Sequence, residues 1–169
     1  AYAEQGDVES ADAFFTEAIT IAEHLGDPVA ESTRNGNYGW FLLLVGRPRR
    51  AMTTLERALS ISHAHGLTLQ TAVQLDDLGL VYDSLGDYPA ALERHRQALA
   101  LASDAVAGDV LWAGQIRVNL GNTLVAMREY AEAETLLADG LVAGRAGNHG
   151  ELIISALVGQ ARLLMAQDK

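Results

Sequence analysis

Apolar and small residues return at helical spacing along this chain, in blocks that end at glycine. In one block Ala91, Leu92, His95, Ala98 and Leu99 lie three and four residues apart, the period of a helix with one buried face. Asp87 precedes the block as an N-cap, and Pro89 falls in the first turn, where its missing N–H costs little. Asp27 and Pro28 open another helix with the same chemistry. It follows a helix predicted over about residues 8–25 that closes at Gly26. Further breaks are predicted at Gly46, at Gly66, at Gly86, at Ala107 with Gly108, and at Gly147.

A second kind of helix alternates with the first. In QLDDLGLVYDSLG, Leu75, Leu78, Gly79, Tyr82 and Leu85 share a face. VNLGNTLVAM repeats this with Leu120, Gly121 and Leu124, and NYGWFLLLVG with Tyr38, Gly39 and Leu42. The large residue followed by glycine has a steric reason. The bare backbone lets a partner helix come close, while the large neighbour fills the flanking gap.

These blocks are copies of one pattern. Ala11, Ala51, Ala91 and Ala133 hold equivalent places at offsets of 40, 40 and 42 residues, in stretches such as GRPRRAMTTLERALSIS and GDYPAALERHRQALALA. A period in this range marks a stacked repeat architecture. The expected fold is therefore all-α, a right-handed α-solenoid of stacked antiparallel helix pairs. Its units are a partial repeat over 1–26, repeats at about 27–66, 67–107 and 108–148, and a terminal helix over 149–169. Both ends fall inside repeats without polar caps, so the expectation is a fragment of a longer array or an array whose ends pair with another copy.

Leu78, Gly79, Tyr82, Gly86, Tyr88, Ala91, Ala98 and Leu99 together resemble the tetratricopeptide-repeat pattern, and the resemblance covers essentially the whole chain. Two departures stand out. The usual aromatic between the two alanines is Phe15 in the first copy, but Leu55, His95 and Leu137 in the others. The period is also about six residues longer than the commonest form, with the extra length around 63–67, 103–110 and 145–151, extending both helices by about a turn. That longer period is similar to kinesin light chains and to the sensor arms of bacterial regulators of the STAND and antibiotic-regulatory types. The Arg-for-Lys, Ala-rich composition leans towards the bacterial group.

The resemblance implies that first helices line a concave face and second helices a convex one. Candidate ligand contacts are then the first-helix residues off the packing stripe: Asn37, Trp40, Asp76, Asp77, Leu80, Asp83, Gln115, Asn119, Asn122 and Arg162, with Leu44, Val73 and Met165 beside them. Asn119 and Asn122 share a helical face, and Asn37 lies on a neighbouring unit. Asparagine offers donor and acceptor together, so such a column can bind the backbone of an extended peptide, or else bond neighbouring side chains. Asp76, Asp77 and Asp83 would favour a basic peptide over an acidic tail, or form a solvated face. The lysine clamp that some members use for a terminal carboxylate has no counterpart, because Val73, Gly36 and Val118 stand at the expected basic positions. Trp40 reads equally as a binding anchor or as part of a helix buried all round, and Trp112 as packing against the adjacent loop.

Composition narrows the function. The formal net charge is −10, with one lysine, Lys169, which disfavours a phosphate backbone; Arg47, Arg49 and Arg50 read as a solvated turn. No apolar run is long enough for a membrane span and no signal peptide is visible, so the expected location is cytoplasmic. Cysteine is absent, and His63 and His65 point apart on a helix. His95 takes a packing position. No phosphate loop or Ser/His/Asp spacing appears, and no carboxylate is expected to lie buried beside a second one with a shifted pKa. The expectation is no enzyme, no cofactor and no metal.

Three functions are in view. The first is a protein- or peptide-binding scaffold, the sensory or docking segment of a larger bacterial regulator in transcription or signalling. The second is self-association through the apolar end helices, and the third a spacer between flanking domains.

Overall fold

The computed structural model describes residues 5–104 and 110–168, and these form eight helices with no strand among them. They are α1 (Gln5–Leu25), α2 (Pro28–Leu44), α3 (Pro48–Ala64), α4 (Thr68–Leu85), α5 (Tyr88–Asp104), α6 (Val110–Met127), α7 (Tyr130–Ala146) and α8 (Gly150–Gln167). Each helix packs on its neighbours in sequence, and α2 on α4, α4 on α6 and α6 on α8 make the stacking contacts between units. This is the expected solenoid of antiparallel helix pairs, with α2, α4, α6 and α8 as first helices. The break expected at Ala107 and Gly108 lies outside the described residues.

Local chemistry sets the helix ends. The Asp27 carboxylate accepts the backbone N–H groups of Val29 and Ala30, each at 3.0 Å, and Asp87 accepts that of Ala90 at 3.2 Å. Four turns reverse through glycine with φ between 63° and 78°, at Gly26, Gly46, Gly66 and Gly86. The last two turns do it without glycine, through Arg128 (φ 66°) and Asn148 (φ 49°). Gly147, where the sequence placed the final break, stays right-handed at φ −85°, and Asn148, a residue that tolerates the left-handed region, makes the turn.

The large-then-glycine pairs do what their pattern implied. A β-carbon at Gly39, Gly79 or Gly121 would fall within 3.0 Å of the side chain sixteen positions later: Leu55, His95 or Leu137. Ala51, Ala91 and Ala133 are fully buried one turn before those side chains. The apolar core divides into blocks. One joins Ile19, Tyr38, Leu42, Leu55, Leu78 and Val81, and another joins Leu120, Leu124, Leu137, Leu152 and Leu163. Between them lies a small cluster of Leu75, Ala98 and Ile116.

The first unit is tied on by polar chemistry. Asp12 of α1 accepts hydrogen bonds from Tyr38 (3.1 Å), Arg47 (3.0 Å) and Arg50 (3.0 Å), and Arg50 also donates to the Tyr38 hydroxyl at 2.6 Å. Arg47 and Arg50 thus lie at a partly solvated turn, as their spacing implied, but are also paired with Asp12, which it did not reveal. Burial works to raise the Asp12 carboxyl, but bonds from Arg50 and Tyr38 and the charge of both arginines hold it below its usual range. Phe15 stacks on Tyr38 at 5.2 Å between centroids.

The close approach at Gly39 predicts a sharp contrast between two alanine substitutions. Gly39→Ala should lower stability by about 1–3 kcal/mol through overpacking against Leu55. Gly150→Ala, where a β-carbon meets nothing within 4 Å, should be neutral or stabilising. Urea midpoints followed by circular dichroism measure both, and equal midpoints would exclude steric crowding as the role of Gly39.

Candidate functional site

On α4, Asp76, Gly79 and Asp83 are spaced three and four residues apart and so share one face. His95 of α5 comes down on that face, filling the gap over Gly79. It is fully buried, with Nδ1 2.6 Å from Asp76 Oδ1 and Nε2 3.3 Å from Asp83 Oδ2. Helix α6 completes the arrangement. Asn119 Nδ2 donates to Asp76 at 2.8 Å, Thr123 Oγ1 donates to Asp83 at 2.8 Å, and Gln115 donates to Asn119 Oδ1 at 3.1 Å. Three helices from two units thus meet on two carboxylates and an imidazole.

Burial alone would lower the His95 pKa, but the hydrogen bonds and charges of Asp76 and Asp83 push it up to about 9. At neutral pH the ring is an imidazolium, and both nitrogens donate. Asp77, next along α4, points into a water-poor region. Desolvation, reinforced by the Asp76 charge and opposed by His95, pushes its carboxyl up to about 8. This corrects the expectation that no carboxylate would be buried beside a second one with a shifted pKa. Asp76 and His95 are closed to solvent and bonded to each other, whereas Asp77 reaches the groove wall.

Beside this network the first helices enclose a groove of about 910 Å³. Helix α2 contributes Asn37 and Trp40, and α4 contributes Val73, Asp76, Asp77 and Leu80. Leu111, Trp112, Gln115 and Asn119 come from α6, and His149, Glu151, Leu152, Ile154 and Ser155 from α8. Seven residues singled out in the sequence are brought together here: Asn37, Trp40, Asp76, Asp77, Leu80, Gln115 and Asn119. Three are not. Asp83 is held by His95 and Thr123, Arg162 lies exposed farther along α8, and Asn122 turns towards Gly159 with its Oδ1 buried and without a protein partner. Leu44 and Met165 are also outside the groove wall, at 66% and 69% exposure.

Within the groove the roles shift. Asp76 and Asn119 are 3% and 8% exposed and bonded to each other, so the asparagine column is largely spent on packing. Trp40 is 40% exposed, which removes the reading of a helix buried all round. Trp112 is 41% exposed on the groove wall, while the loop it was expected to cover lies outside the described residues. Sequence reasoning missed Thr123, His149 and Glu151. The available signal was the substitution of His for Leu at position 95, opposite two aspartates on one stripe. His149 also caps α8, its Nδ1 accepting the Leu152 N–H at 3.3 Å. No group of side chains among the described residues is arranged to hold a metal ion, and no described helix is long and apolar enough to cross a membrane.

Comparison with known proteins agrees with this fold. The family model of the tetratricopeptide repeat matches residues 30–104 and 69–146, and a second model of that repeat matches 1–24. The chain belongs to the tetratricopeptide-repeat family, whose fold typically serves as a non-enzymatic scaffold for protein–protein interaction. No curated protein matches it in sequence. Among solved structures it is similar to BtubC (BKLC) from P. vanneervenii, with 19% identity and a TM-score of 0.77 over 97% of this chain and 70% of that one. It is also similar to a putative kinesin light chain with nearly identical TPR-like repeats from Podosopora anserina, with 17% identity and a TM-score of 0.70 over 96% of this chain and 79% of that one. Identities this low establish the shared fold.

Two raised pKa values fix the sign of the pH dependence of stability. His95 keeps its proton up to about 9 when folded, against an ordinary value of 6.5, so its contribution is whole below 6.5 and is lost as pH rises through 9. Asp77 acts in the same direction between 3.8 and about 8. Melting temperature should therefore fall steadily from pH 6.5 to 9. Asp77→Asn should remove the Asp77 share of that fall and keep the share carried by His95. A flat profile in thermal melts across this window would contradict both assignments.

Proposed function

We propose that this chain is a non-catalytic, cytoplasmic scaffold that binds an extended peptide or partner helix along its concave face. In this reading it is the sensory or docking segment of a larger bacterial regulator. The observation that carries the reading is the groove itself. Four successive first helices contribute to one concavity, and two tryptophans stand about 40% exposed on its wall. Half-exposed tryptophan in a concave, mostly apolar site is the usual composition of an interface anchor. The free polar groups around it are Asn37, Asp77, Glu151 and Ser155, enough to orient a backbone but too few to bind without the apolar wall. The bacterial regulator assignment rests on the long period and the Arg-for-Lys, alanine-rich composition.

Trp40 and Trp112 are the only tryptophans in the chain, and both line the groove. Intrinsic fluorescence therefore reports on this concavity. Peptides selected from a displayed random library should change the emission on binding, and Trp40→Ala should weaken them by about tenfold or more. Binding that leaves both tryptophans silent and survives Trp40→Ala would place the interaction elsewhere.

Self-association has its own supporting feature. Helix α8 carries Leu157, Val158 and Leu164 outside the groove lining at 45–63% exposure, and such a stripe can stack on a second copy. Sedimentation at tens of micromolar distinguishes the two readings: a dimer abolished by Val158→Glu supports stacking, and a monomer excludes it for this chain.

A further inference from the structure

We propose that the groove seats one cationic side chain of its bound segment against Trp40 and Trp112, with Asp77 as the counter-ion. The inference rests on the groove being the binding site and names the chemistry of the residue that enters it. The charged and titratable groups on the groove wall are Asp76 and Asp77 from α4 and His149 and Glu151 from α8. Helices α2 and α6 contribute only uncharged residues there, and no lysine or arginine lines it among the described residues, although the chain has twelve.

The buried network next to the groove gives this wall its polarity. Asp76 and Asp83 share one histidine, His95, so the cluster sets two acidic side chains against one basic one. Asn119, Thr123 and Gln115 bring hydrogen bonds to it but no compensating charge. Desolvation first, and the neighbouring Asp76 charge second, push the Asp77 carboxyl up to about 8, so it keeps its proton at neutral pH. A guanidinium or ammonium group entering here would offset that charge and allow Asp77 to ionise. Two partly exposed indoles on the same wall supply the faces on which a cation is held once its water is removed. His149 is already engaged through Nδ1 with the Leu152 N–H, and Glu151 at the exposed rim adds attraction from a distance. An acidic segment would meet the reverse: carboxylates facing carboxylates, with His149 as the one basic side chain on the wall and His95 already bonded to Asp76 and Asp83.

Binding by this route releases a proton from Asp77, so affinity for a cation that does not itself titrate must rise with pH through the Asp77 value. The test uses N-acetyl-arginine amide and its neutral isostere N-acetyl-citrulline amide, titrated into the whole chain and followed by tryptophan emission. The arginine compound should bind about tenfold more tightly than the citrulline one. Its affinity should increase from pH 6.5 to 8.5 in the wild type, and that increase should vanish in Asp77→Asn. Equal responses to the two compounds, or a pH dependence that survives Asp77→Asn, would overturn the proposal. Circular dichroism of the variant separates loss of the site from loss of fold. The displayed library gives a second readout. Peptides that need Trp40 yet show no excess of lysine or arginine would overturn the cation while leaving the groove as the binding site. Basic peptides indifferent to Trp40→Ala would overturn the groove as well.

Discussion

The whole array depends on how closely each first helix approaches the second helix that follows it. At Gly39, Gly79 and Gly121 the approach is so tight that a methyl group would collide with the residue opposite. That one distance sets the spacing of each helix pair, and buried alanines at Ala51, Ala91 and Ala133 hold it from the other side. What fills the space over the glycine is then the main variable from unit to unit. Leucine does so in two units, and histidine does so in the middle one. An apolar plug needs only shape. A histidine plug needs partners as well, and Asp76 and Asp83 supply them from positions one turn either side of Gly79.

Substituting a polar plug for an apolar one changes what binds neighbouring units together. The apolar blocks on either side are larger clusters, whereas between α4 and α6 the small cluster of Leu75 and Ile116 is joined by Asn119 and Thr123 reaching the two aspartates. Directional bonds of this kind are costly when half made, because an unpaired buried carboxylate has no water to turn to. The same groups set the electrostatics of the concave face, since Asp77 borders them and opens to the groove. The buried network and the groove wall therefore meet on one helix, at the consecutive residues Asp76 and Asp77.

Much of the fold was legible in the sequence because its determinants are short-range. Glycine after a large residue, alanine at a fixed offset, and Asp-Pro at a helix start each act within a few positions or one helix pair. The site was less legible. Whether Asn119 faces solvent or a neighbouring aspartate depends on the rotation between units, which no local pattern encodes. His95 stood at a packing position, as its place in the repeat implied, yet its bonding to two aspartates could be recognised only once α4 and α5 were laid together. Trp40 showed the same limit, since an apolar run around it fits both a buried helix and a groove wall. Arg47 and Arg50 looked like a hydrated turn because Asp12, their partner, lies a whole unit earlier in the chain.

Asp76 and Asp83 belong to one helix, while the side chains that satisfy them belong to two others. The unit carries its own histidine, but it can sit only where an asparagine and a threonine come next along the spiral. The modules of this array are consequently not interchangeable bricks. Duplication or shuffling of the central one would strand charge in the interior, so its address within the series is written into its own chemistry.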